Sequence, residues 1–104
     1  MRENKYRYLV VRSRNVRAST REVEERVKNY VLLLFGVSGL SRTLPKVVYA
    51  TGNGVFVLRV KREGVKLLRA TLLLDAECSF IVVKTTGTSR KAMRIAVSIP
   101  PVKQ

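Results

Sequence analysis

The chain has no histidine and no tryptophan, a single cysteine, and only seven acidic residues against 21 lysines and arginines. Each shortage removes a class of chemistry. Without histidine, the usual general base near neutral pH and the commonest metal ligand are both missing. Among the acids, Glu22, Glu24 and Glu25 fall together at the start of an expected helix, where they complement its dipole. Glu63, Asp75 and Glu77 sit at expected helix ends without ligand-like spacing. No catalytic residue and no metal site is therefore assigned, and no cofactor is expected on the protein itself. The Gly52-Asn53-Gly54 stretch lacks the Lys-Ser/Thr sequel of a phosphate-cradling loop and reads as a turn. The lone Cys78 cannot form an internal disulfide, and its place at the head of an apolar run reads as core. The longest apolar run, at 30–35, and shorter ones such as 72–74 fall far short of the ~20 residues a membrane span needs. The opening Met1-Arg2-Glu3-Asn4-Lys5, followed by Tyr6-Arg7-Tyr8, lacks the apolar stretch of a secretory signal. The expectation is a cytoplasmic protein without membrane association.

What remains is positive charge and enough apolar residues for a core. A net charge of +14 on 104 residues repels itself on compaction and implies a polyanionic partner. Arg2, Lys5, Arg7, Arg12, Arg14 and Arg17 crowd the N-terminal segment, and no acidic residue follows Glu77. This clustering argues against a merely solvated, arginine-rich surface. The scarcity of glutamine and the absence of histidine and tryptophan hint at a thermophile. At 46% apolar content and this length, residues 1–104 read as one globular domain, with 1–4 and 99–104 as flexible ends.

Periodicity gives the order of elements. Residues 5–14 alternate with aromatic and β-branched types and predict a first strand. Ser19 and Glu22 form a capping-box pair, and Val23, Val27, Tyr30, Val31 and Leu34 recur at helical spacing, so a helix is expected over 19–35, ended by Gly36. Residues 37–44 read as a connection, Pro45 opens a second strand near 46–51, and Thr51-Gly52-Asn53-Gly54 signals a hairpin through the positive φ available to Asn-Gly. A third strand follows over 55–62. From Glu63, Val65, Leu68, Leu72 and Ala76 line one face of a second helix, with Lys66 and Arg69 on the other. Residues 78–86 read as a strand apolar on both faces, near the sheet centre or against another surface. After Gly87, Thr88 or Ser89 caps a brief basic helix holding Arg90, Lys91 and Arg94, stopped by Pro100 and Pro101.

The order β-α-β-β-α-β predicts an α+β, ferredoxin-like split βαβ fold: a four-stranded antiparallel sheet with two helices on one face and a short basic C-terminal helix. The second face would be open to a ligand. Tyr8, Val10 and Arg12 share one face of the first strand, and Val55, Val57, Arg59 and Lys61 one face of the third. These sets either form that open face or place Tyr8 and Val57 in the core; register leaves both open. The third strand has a glycine and one aromatic but not the stacking rings of an ordinary single-strand RNA reader. Cations without aromatic platforms suit the backbone and shape of a folded RNA.

Four stretches carry a family resemblance. Arg7-Tyr8-Leu9-Val10-Val11, Gly54-Val55-Phe56-Val57-Leu58-Arg59, Leu68-Arg69-Ala70-Thr71-Leu72-Leu73 and Lys84-Thr85-Thr86-Gly87-Thr88-Ser89 occur in an order and spacing that resemble ribonuclease P protein component 2, the archaeal and eukaryotic small subunit family, from Arg7 to about Ile95. The resemblance implies a ferredoxin-like fold with added helices and an RNA catalyst whose magnesium belongs to the RNA. It implies ribonuclease P RNA, precursor tRNA, component 3 and other protein subunits as partners. The tail through Pro100, Pro101 and Gln104 is shorter than in some relatives, which puts a terminal-helix function in doubt. The candidate RNA contacts are Arg7, Tyr8, Arg12, Arg59, Lys61, Lys84, Arg90, Lys91 and Arg94. Leu32, Leu33, Leu67 and Leu74 exceed what two short helices need inside, so Leu33 and Leu74 are candidates for a protein interface, with extra core burial the alternative. A ribosomal or other structural RNA-binding protein would show the same charge and fold. A small-molecule regulatory domain would not need this charge.

Overall fold

A computed structural model describes residues 5–14, 18–74 and 80–99. The element order is β1 (Tyr6–Ser13), α1 (Thr20–Thr43), β2 (Lys46–Ala50), β3 (Val55–Lys61), α2 (Val65–Leu73), β4 (Phe80–Thr86) and α3 (Ser89–Ser98), with a 3-10 turn over Arg62–Gly64 leading into α2. The strands form one antiparallel sheet in the order β2-β3-β1-β4. This is the ferredoxin-like arrangement expected from the element order.

Alternation along the central strands divides the apolar residues between two layers. Leu9 and Val11 of β1 and Phe56, Leu58 and Val60 of β3 pack with Val23, Val27 and Val31 of α1 and with Leu68 and Leu72 of α2. The fully buried side chains Leu9, Leu58 and Leu68 each contribute about 1.5–3 kcal/mol through removal from water. On the opposite face Val10, Val55 and Val57 pack beneath Ala92 and Ala96 of α3. That face is therefore partly covered. Alanines four residues apart make a flat helix surface that can lie close to the sheet, and the half-buried Ile95 and Ile99 flank it. Ile99, expected in a flexible end, belongs to this layer. Tyr8, Val10 and Val57 thus point away from α1 and α2 and still meet a core.

The first helix departs from its expected end. Gly36 does leave helical geometry, at φ 71° and ψ −167°, but the chain resumes as helix to Thr43, so 37–44 is not a simple connection. Gly39 explains the continuation: it is buried, and an added Cβ would clash with the Cβ of Phe35 and stand 3.3 Å from Leu67, so the missing side chain lets the second segment close on α2. Leu44 ends it in the left-handed conformation, its N–H bonded to the Leu40 carbonyl. In the hairpin, positive φ is taken by Gly52 and Gly54 and not by Asn53. Of the two placements open for the last strand, the sheet centre is not the one taken: β4 lies at the sheet edge, with Phe80 and Val82 packed on the core and Ile81 and Val83 exposed, and a register shift separates its Val82 and Lys84 pairings with β1. Cys78 and Ala76 lie outside the described residues.

Candidate nucleic-acid interface

Ladder pairing fixes which basic side chains share a face. Tyr8 stands opposite Arg59, Tyr6 opposite Lys61, and Arg12 opposite Val55, while β4 brings Lys84 opposite Val10. Directly paired residues project to the same side, and Val10 and Val55 lie under α3. Tyr8, Arg12, Arg59, Lys61 and Lys84 therefore all belong to the α3 face. Arg7 does not: it pairs with Val60, a residue of the α1–α2 core, and its Nη1 donates to the Tyr6 carbonyl at 3.0 Å. The candidate contact at Arg7 is the one that the fold sends to the other side.

α3 adds the remaining cations. With Ala92 and Ala96 turned to the sheet, Arg90, Lys91 and Arg94 are exposed along its outer side. Thr88 caps the helix, its hydroxyl accepting from the Lys91 N–H at 3.3 Å. The first turn has no acidic residue and instead carries Arg90 and Lys91, which oppose the positive end of the helix dipole.

Three of the acids, Glu22, Glu24 and Glu25, lie on α1. Among the described residues the ion pairs are Arg21 with Glu25 and Lys28 with Glu24, both within α1 on the far side of the sheet. Glu24 also accepts from the Val47 N–H at 2.9 Å and so serves the scaffold, while the Ser19 hydroxyl caps the helix by accepting from the Glu22 backbone N–H at 3.1 Å. Arg12, Arg59, Lys61, Lys84, Arg90, Lys91 and Arg94 thus form one face of unbalanced positive charge. Its field attracts polyanions and holds phosphates without reading base sequence.

Sequence reasoning missed Tyr6 and Lys46. The Arg59 guanidinium carbon lies 4.6 Å from the centroid of the Tyr6 ring, and Lys46 flanks Arg59 on β2. Alternation along β1 was a signal for Tyr6, whereas placing Lys46 beside Arg59 requires the hairpin register.

Apolar side chains are exposed on other surfaces. Leu33 is 81% exposed and Leu74 64%, so neither is used for core burial, whereas Leu67 packs partly against the core. Leu32, Val37 and Leu73 are exposed as well. Among the described residues no three His, Cys, Asp or Glu side chains converge, and no helix is long and apolar enough to cross a membrane.

The family model described as the Rpp14/Pop5 family matches residues 7–97, most of the chain. No curated protein matches it.

Proposed function

Since the chain belongs to the Rpp14/Pop5 family of ribonuclease P protein subunits, we propose that it is the component 2 type of subunit, which supports the catalytic RNA in 5′-end maturation of precursor tRNA. The observation that carries this reading is the α3 face, whose cations have no acidic partners among the described residues. Packed RNA helices repel one another, and each phosphate neutralised by Arg or Lys releases counterions and lowers that repulsion. A face set by β1, β3, β4 and α3 holds its charges on a rigid frame and favours the active RNA fold. The cations at the start of α3 oppose the helix dipole in the free protein, and a phosphate placed there would relieve that cost.

In this reading the protein has no active site of its own. The RNA performs the cleavage and magnesium is bound by the RNA. Exposed Leu33 and Leu74 would dock component 3, alongside other subunits, on a surface separate from the basic face. The assembly would work in the cytoplasm, and the reading includes the archaeal-type character of the subunit.

Recovery of RNA on the tagged protein from its native cells tests the assignment. Enrichment of ribonuclease P RNA and precursor tRNA is expected. Enrichment of ribosomal RNA in their place would move the chain to the structural RNA-binding class.

A further inference from the structure

The α3 face is divided. Val10, Val55 and Val57 are covered by α3; Tyr8, half-buried, borders that covered layer, and Tyr6, Arg59 and Lys61 continue toward the other end of the same two strands. There, Lys46 of β2, Arg59 of β3 and Tyr8 of β1 stand side by side in one row, and Lys61 and Tyr6 form the next. The Arg59 guanidinium lies over the Tyr6 ring at 4.6 Å, and its buried Nε has no hydrogen-bond partner.

Stability does not account for this corner. A cation–π contact at a half-exposed site returns less than an unpartnered buried donor costs. A surface that only neutralised phosphates would need cations and no rings, as on the outer side of α3. Here each ring stands directly opposite a cation, Tyr8 opposite Arg59 and Tyr6 opposite Lys61. That is the chemistry of a stacked base with its phosphates held on either side.

We propose that this corner binds an unpaired ribonucleotide, the base stacking on Tyr8 and on the Tyr6–Arg59 pair, with Lys46 and Lys61 holding the flanking phosphates. This rests on the reading of the chain as a ribonuclease P subunit and adds the class of RNA element that each part of the face takes. Bases within an A-form duplex are stacked on one another and are not offered to a ring, so helical RNA would bind along α3 and unpaired RNA at the corner.

The chain has four tyrosines and no tryptophan, so its intrinsic emission is that of tyrosine and reports base stacking directly. A short oligouridine and a blunt RNA duplex are titrated against the full chain and against Tyr8→Leu, Arg59→Gln and the Lys46→Gln/Lys61→Gln pair. Oligouridine is expected to quench the emission, and its affinity to fall about tenfold or more in Tyr8→Leu and Arg59→Gln. The exposed and half-exposed lysine pair, which does not enter the core, is expected to lose several-fold on the same probe. Duplex affinity should change less than about twofold in the ring variant, since its contacts are to the backbone. Unchanged oligouridine binding in all three variants, or equal losses on both RNAs, would overturn the corner assignment. Failure of the wild-type chain to bind ribonuclease P RNA while still binding oligouridine would instead remove the subunit reading.

Discussion

The carboxylate of Glu24, on α1, accepts the backbone N–H of Val47, on the outer strand β2, at 2.9 Å. One side chain thereby closes an edge group that would otherwise be open to pairing with another chain, and it ties the helix layer to the sheet. Lys28, 3.3 Å from the other oxygen, holds the carboxylate in place. Glu24→Ala is expected to destabilise the fold by about 1.5–3 kcal/mol, the range for a hydrogen bond to a charged acceptor. RNA affinity should be unaffected, because the pair lies away from the α3 face. Denaturant unfolding alongside RNA titration checks both halves.

The outer side of α3 should govern the electrostatic part of binding. In the triple variant Arg90→Gln, Lys91→Gln, Arg94→Gln, the slope of log affinity against log salt is expected to fall by roughly 2–3, at about 0.7–0.9 for each phosphate no longer neutralised. The melting temperature should hold or rise slightly, since these side chains are exposed and Arg90 and Lys91 oppose the helix dipole. An unchanged slope would show that the helix is not part of the interface.

Ala96 tests how closely α3 lies on the sheet. Fully buried above Val10, Val55 and Val57, it has no space for a larger side chain. Ala96→Leu is expected to cost about 1–3 kcal/mol by overpacking. Hydrogen exchange should rise in α3 ahead of α1, because a lifted helix opens before the main core does.

Gly64 is a backbone crossing point. An added Cβ would strike the Arg42 carbonyl oxygen and lie 2.8 Å from Thr43 Cα, neither of which is a flexible side-chain end. Gly64→Ala is expected to destabilise by about 1–3 kcal/mol or more. By contrast Gly52→Ala, in open space at φ 86°, carries only the cost of positive φ, roughly 1 kcal/mol. Comparison of the two melting curves separates steric from conformational cost.

Leu33→Glu and Leu74→Glu alter side chains that are mostly exposed, so stability should change by no more than about 0.5 kcal/mol. Binding to component 3 should weaken by about tenfold or more if these residues sit near the centre of the interface. Loss of the fold, read by circular dichroism, would sink the interface reading.

The strands and the capped helices were legible because short-range chemistry sets them: alternation in β1 and β3, Ser19 as one cap and Thr88 or Ser89 as the other, glycines in the 51–54 turn. What was not legible depended on distance in space. Gly36 breaks the helix as its type suggests, yet whether helix resumes is decided by the fit of Gly39 against Phe35 and Leu67. The apolar run in β4 suggests a strand at the sheet centre or against another surface; strand order is a tertiary outcome, and β4 lies at an edge with Phe80 and Val82 packed on the core and Ile81 and Val83 exposed. The basic residues of α3 are visible in the sequence, while the Ala92 and Ala96 contact that folds this helix over the second face is a matter of tertiary packing. Arg7 is different: alternation along β1 alone separates it from Tyr8, since adjacent residues on a strand project to opposite faces.

The most direct test of the central claim is precursor-tRNA cleavage by ribonuclease P RNA at moderate magnesium, with component 3, in the presence and absence of this protein. The account predicts stimulation that collapses when Arg59, Lys84, Arg90 and Lys91 are neutralised together. Absence of stimulation by the wild-type chain, with tight binding to a different cellular RNA, would contradict it.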